Sequence, residues 1–185
     1  MKFIMSVIVI VLASMPALAQ DSPLYLQFKY SPLGTINADD STFEYFGDDY
    51  QEYDMNFDRT LGAKLIFDPV YIAVQQNITN LNNSKPDVTL ETISMGLAGF
   101  NYERFAYEDP NLYLMGGLGL GAGQFKFEDA EDNKWETFLE ANAEVGFRLQ
   151  EHFLLGMGID YQRFGDFGDH KANYWSLYLG TGIIF

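Results

Sequence analysis

The stretch WETFLEANAEVGFRL, residues 135–149, decides how the rest of the chain is read. Its odd positions are Trp135, Thr137, Leu139, Ala141, Ala143, Val145, Phe147 and Leu149. Its even positions are Glu136, Phe138, Glu140, Asn142, Glu144, Gly146 and Arg148. An amphipathic helix would return apolar residues at spacings of three and four, whereas here the period is two. Successive side chains of a strand point to opposite faces. One face of this strand therefore suits lipid, and the other suits a polar interior.

Working outward from this segment, the same habit recurs on both sides. On the N-terminal side, Leu24, Leu26, Phe28 and Tyr30 alternate with Tyr25, Gln27 and Lys29. Leu61, Ala63, Leu65 and Phe67 alternate with Gly62, Lys64 and Ile66, and Val70, Ile72 and Val74 alternate with Tyr71, Ala73 and Gln75. Ile93, Met95 and Leu97 are interleaved with Thr92, Ser94, Gly96 and Ala98; Leu112, Leu114, Leu118 and Leu120 are interleaved with Tyr113, Met115 and a run of glycines. On the C-terminal side, Leu155, Met157, Ile159 and Tyr161 alternate with Gly156, Gly158, Asp160 and Gln162. Trp175, Leu177, Leu179, Thr181, Ile183 and Phe185 alternate with Tyr174, Ser176, Tyr178, Gly180 and Gly182. That makes eight strands, an even number, as an antiparallel transmembrane barrel requires.

The connections carry a second signal. Short ones are expected at Asp68-Pro69, around Glu108-Asp109-Pro110-Asn111 and at Gln150-Glu151-His152. Longer ones are expected at roughly 32–58, 77–87, 128–134 and 165–172. Tight periplasmic turns alternating with longer extracellular loops put both termini on the periplasmic side. The expected fold class is thus all-β, a single antiparallel up-and-down transmembrane barrel of about eight strands. A soluble barrel would reverse the faces, leaving its glycine-rich side to water.

Residues 1–19 read as a cleavable signal peptide: Lys2, an apolar run broken only by Ser6, then Ala17-Leu18-Ala19. The run is too short to span a bilayer as a helix. Residues 20–185 form the barrel domain, a length that suits one domain. A mean hydropathy of −0.10 does not argue against a membrane, because only every second strand residue of a barrel meets lipid. With no cysteines, stability must come from a core, a membrane or a closed sheet. Tyr and Phe supply 28 of the 30 aromatic residues, which suits strands and interface girdles. Eleven basic residues against 26 acidic ones give −15, a surface that repels nucleic acid.

The last segment, YWSLYLGTGIIF, ends the chain on an aromatic residue with Leu177, Leu179 and Ile183 on the same face as Phe185. It resembles the C-terminal signal read by the barrel insertion machinery, with Thr181 as a departure. Together with the alternation, and with Tyr161-Gln162-Arg163-Phe164 before a glycine-bearing last strand, the whole mature chain resembles the small OmpA/OmpX-like outer-membrane barrels. The resemblance implies a Gram-negative outer membrane, lipid and lipopolysaccharide as surroundings, and assembly through periplasmic chaperones and the insertion machinery.

Three groups of residues could carry a role. Lys29, Lys64, Glu140, Glu144, Arg148 and Asp160 fall on the expected inner face. Buried charges need partners, so a compensated network bracing the lumen is the expectation, with Lys29, Lys64 or Arg148 opposite Glu144. Gly117, Gly119, Gly121 and Gly123 share one inner face. They leave room either for large inward groups (Tyr25, Tyr71, Tyr113, Phe138, Tyr178) or for an acyl chain. Between Asp39 and Asp58 stand eight carboxylates and no Lys or Arg. Asp39, Asp40, Asp48, Asp49, Glu52 and Asp54 make this loop a candidate for divalent cations, and its interleaved aromatics make it a candidate for surface partners; no particular metal is indicated. Only two histidines exist: His152 in an expected turn, and His170 in a loop that meets Ser41 or Thr42 only if the first and last loops converge. No catalytic residue and no cofactor is assigned. The expected function is structural, and the alternative is a lipid-modifying enzyme with an acyl pocket in the lumen.

Overall fold

The computed structural model describes residues 24–38, 54–57, 59–67, 69–79, 88–101, 111–127, 134–150, 152–165 and 172–185. Nine strand segments appear: β1 (Leu24–Ala38), β2 (Asp54–Phe57), β3 (Arg59–Phe67), β4 (Val70–Thr79), β5 (Val88–Asn101), β6 (Leu112–Phe127), β7 (Lys134–Leu149), β8 (Phe153–Phe164) and β9 (Ala172–Ile184). β2 and β3 pair with the same side of β1 in one unbroken register, from Asn37 opposite Asp54 down to Leu24 opposite Phe67. They act as one stave, so the sheet has eight. Each stave pairs antiparallel with the next, and β1 pairs with β9 to close the cylinder. Closure leaves no edge strand, so every stave finds ladder partners on both sides.

The outer face is apolar. Leu33, Met95, Leu97, Leu118, Leu120, Met157, Leu177 and Leu179 are each more than half exposed. An apolar belt of this extent on a closed barrel is untenable in water and suited to hydrocarbon. Tyr161 and Trp175 pack with ring centroids 4.3 Å apart, tilted by 42°, toward the loop end of β8 and β9, where an interface girdle belongs.

The inner face is filled in layers. Near the short turns, Tyr25, Ile66, Tyr71, Ala98, Tyr113, Met115 and Leu154 form an apolar plug. Polar side chains occupy the middle, and toward the loop ends come Ile36, Leu90, Phe138 and Phe164, the last two 4.9 Å apart. Eight strands enclose a space that side chains can fill. On the opposite face of β1 and β3, Leu24, Leu26 and Leu65 form a separate buried cluster with Phe67 against it.

Two readings of the connections need correction. The first long connection was expected to begin at Pro32, yet β1 runs through it to Ala38, and β2 returns at Asp54. The reason is a bulge: the β1–β9 register shifts between Tyr30 and Leu33, and Pro32 and Leu33 both face outward. Below it the inward residues of β1 are Tyr25, Gln27, Lys29 and Ser31; above it they are Gly34 and Ile36. Pro lacks a ladder donor and is tolerated at a bulge. The Ser31 hydroxyl supplies local bonds instead, to the carbonyls of Leu177 and of Leu33. The second correction concerns the connection around Glu108-Asp109-Pro110-Asn111. β5 ends at Asn101 and β6 begins at Leu112, so ten residues intervene, against eight between β4 and β5. The strict alternation of short and long therefore fails there. The other two short connections hold: β4 starts at Val70 after β3 ends at Phe67, and β8 starts at Phe153 after β7 ends at Leu149, with Gln150 left-handed (φ 51°).

Candidate functional site

The lumen gathers the charged residues singled out in the sequence. Lys29, Lys64, Glu140, Glu144 and Asp160 are all buried and inward, and Arg148 is inward and half-buried. Counting Arg148, three cations face three carboxylates. Each is positioned by a stave whose opposite face is apolar, so the alternation that anchors the barrel in lipid also aims these groups inward.

Lys29 on β1 donates from Nζ to both carboxylate oxygens of Asp160 on β8, at 2.9 Å each, and stands 4.4 Å over the ring of Tyr178. This is a direct buried ion pair with a cation–π contact beneath it. Lys64 on β3 reaches across the lumen to β7, where Asn142 Oδ1 accepts at 2.8 Å. The same amide donates through Nδ2 to Glu140 at 3.0 Å. Tyr71 makes a second link, its ring 4.1 Å below Lys64 Nζ and its hydroxyl donating to Glu140 at 3.2 Å. Lys64 and Glu140 are thus joined through an amide and a phenol.

Glu144 departs from expectation. Lys29 bonds Asp160 and Lys64 bonds Asn142 instead. Gln27 Nε2 donates to its two oxygens at 2.7 and 2.6 Å, and the Tyr113 hydroxyl donates to Oε1. Three hydrogen bonds from neutral donors hold this ionised carboxylate in the lumen. Lys64 does approach β7 across the lumen, but it meets Asn142, two residues from Glu144.

The inner glycines resolve in favour of space for large side chains. A Cβ on Gly119 would stand 2.7 Å from Met95 O and closer still to the Tyr71 hydroxyl. On Gly121 it would stand 2.5 Å from Ile93 O and closer to the Phe138 ring; on Gly123, 2.7 Å from Phe164. Gly117 abuts Asn142, and Gly156 and Gly158 seat Tyr113 and Tyr178. The acyl chain imagined along Gly117, Gly119, Gly121 and Gly123 has lost its room to these side chains. Sequence reasoning named Tyr71, Tyr113, Phe138 and Tyr178 as fillers but missed Asn142, Gln27 and Phe164. Their only signal was inward parity.

Of the proposed cation loop, Asp54 begins β2, and Asp39, Asp40, Asp48, Asp49 and Glu52 lie outside the described residues. His170 lies outside them as well. Among the described residues no cluster of three or more His, Cys, Asp or Glu could hold a metal ion. The terminal-signal residues Leu177, Leu179 and Phe185 project outward and are exposed, with Ile183 partly so. Phe185 N donates to Leu24 O at 2.9 Å, so the last residue also tightens the seam.

No protein-family profile matches the chain. No curated protein matches it either. Among solved structures, Neisserial surface protein A (NspA) aligns over 88% of this chain and 97% of its own, with a TM-score of 0.59 and 14% identity. Ail of Yersinia pestis aligns over 90% and 100%, with a TM-score of 0.45 and 16% identity. OprG of Pseudomonas aeruginosa aligns over 89% and 96%, with a TM-score of 0.47 and 13% identity. The similarity to NspA covers the barrel almost end to end and carries the comparison of fold. With the lipid-suited outer face and the filled lumen, it makes this chain a closed eight-stranded transmembrane barrel, OmpA/OmpX-like in architecture.

Proposed function

We propose that the protein is a structural component of a Gram-negative outer membrane, with its acidic first loop outside the cell and both termini in the periplasm. The observation that carries this reading is a lumen blocked by apolar layers at both ends and braced by satisfied charges between them. Such a lumen favours a rigid wall over a conduit or a catalytic pocket. In this reading residues 1–19 are removed on export, and the loop carboxylates Asp39, Asp40, Asp48, Asp49, Glu52 and Asp54 collect divalent cations next to lipopolysaccharide phosphates. The test is topological and chemical. An epitope inserted between Asp48 and Asp49 should be detected on intact cells, and the mature protein should begin at Gln20 by mass spectrometry. Calcium titrated into the barrel in phosphatidylcholine vesicles should bind, and should cease to bind when the six loop carboxylates become amides. An epitope reached only after permeabilisation would overturn the orientation, and unchanged calcium binding would remove the loop's role.

The terminal strand supplies the address for assembly in the same reading. Deleting Phe185 should leave the chain exported to the periplasm but slow or block its appearance as a heat-modifiable barrel in the outer membrane. Because Phe185 also bonds to Leu24, Phe185→Ala separates the two effects: its backbone keeps the seam, yet the ring is gone. Folding of Phe185→Ala into vesicles should match wild type while assembly in cells is slowed. Equal assembly rates in cells would refute the signal.

A further inference from the structure

The outer wall holds a groove that the barrel itself does not need. Two rows of paired residues cross four neighbouring staves and end on the fifth. One row runs Trp175–Tyr161–Ala141–Leu118–Leu97, and the next runs Leu177–Ile159–Ala143–Gly116–Gly99. Ala141, Ala143, Gly116 and Gly99 make the floor of a trough of about 720 Å³ on the lipid side, walled by Leu118 and Ile159. The two glycines are the informative residues. Eleven other glycines of the wall sit within 3.3 Å of an atom that an added Cβ would meet, usually a lumen side chain or a ladder carbonyl. Gly99 would meet nothing within 4 Å, and Gly116 only Asn142 O at 3.9 Å. Neither packing nor a left-handed backbone requires glycine there, since their φ values lie outside that region.

Polar chemistry at one end identifies the occupant. The trough rises to the Tyr161–Trp175 pair, and one step further along the same face of β8 stands Arg163, exposed and paired across the ladder with Asn173. Arg163 makes no ion pair among the described residues. Four inter-strand steps of ~4.8 Å give a trough about 19 Å long, enough for an acyl chain of one leaflet. We propose that this trough binds an acyl chain of lipid A, with a lipid A phosphate against Arg163. An apolar floor, an aromatic collar and an exposed cation follow, in order, the chemistry of a phosphorylated glycolipid. In hydrocarbon no hydrophobic force favours one apolar contact over another, so retention depends on close packing against the small floor residues and on the charge.

The assignment rests on the outer-membrane reading only for its choice of leaflet. Its test is made in vesicles without cellular machinery, so each can fail alone. Mature protein carrying Trp135→Phe, leaving Trp175 as the one indole, is folded into phosphatidylcholine vesicles. The vesicles contain a small fraction of either lipid A or phosphatidylglycerol with brominated chains, and Trp175 quenching is read as the fraction rises. Lipid A should quench at several-fold lower fraction than phosphatidylglycerol. Gly116→Ile, which fills the floor where an added Cβ has space, should fold normally and abolish that preference. Arg163→Gln should reduce it about fivefold. Equal quenching by the two lipids, or a preference that survives Gly116→Ile, would overturn the assignment. So would two copies per vesicle-sized disc for wild type and one for Gly116→Ile, which would give the trough to a second chain.

Discussion

Lys29→Met should be among the most destabilising single changes in this barrel, costing about 3–5 kcal/mol, because it strands a buried carboxylate. Asp160 is 1% exposed, and both of its oxygens are bonded by Lys29. Methionine fills the stem of the lysine but offers no donor, and the Tyr178 ring beneath is left without its cation. Asp160→Asn alone should cost less, since an amide can still accept from the ammonium. The double variant should be more stable than the sum of the two losses implies, because neither partner is then a lone charge. The measurement is reversible urea unfolding in lipid vesicles, taken around the full cycle. Strict additivity would show that the pair is not coupled. Glu144→Gln makes a useful contrast: its neighbours are donors from Gln27 and Tyr113, so its coupling should appear with Gln27 rather than with Lys64.

A single methyl group should separate two kinds of glycine. Gly121→Ala places a carbon 2.5 Å from the Ile93 carbonyl, a ladder atom that cannot retreat, and against the Phe138 ring. Overpacking of this kind costs typically ~1–3 kcal/mol, and the fixed backbone puts this site at the upper end. Gly116→Ala adds the same methyl group to open space and should be close to neutral. Both should be read as urea midpoints and as the fraction reaching the heat-modifiable form. A Gly121→Ala barrel as stable as wild type would mean that the lumen has slack the geometry does not show. A large loss in Gly116→Ala would mean that its outer face is already in contact with something.

Strands were legible wherever alternation was unbroken, and the lumen partners were not. β7 came out to within one residue, Lys134 being the addition, because nothing interrupts its period from Trp135 to Leu149. β1 was read only as far as Tyr30, since Pro32 carries the local signature of a loop and a bulge has no sequence mark that distinguishes it. β5 was read short at its turn end, where Gly99 and Phe100 lack the expected contrast. Inward parity placed Lys29, Lys64, Glu140, Glu144 and Asp160 correctly, because facing is a local property. Which of them touch is not local. It depends on stagger around the whole cylinder, so Glu144 was given a cation and found a glutamine from the first strand.

Seven of the barrel's seams join strands that follow one another along the chain, and only β1 with β9 joins its two ends. The contact network is therefore a string of hairpins plus one very distant stitch, and loop entropy weighs almost wholly on that stitch. Formation of the wall should be progressive and its completion abrupt, with the Leu24–Phe185 seam as the late event. The ends also lie within backbone hydrogen-bonding reach, so the order in which the staves are synthesised is separable from the cylinder they make. Chain direction sets the order of synthesis; the finished wall has no first strand.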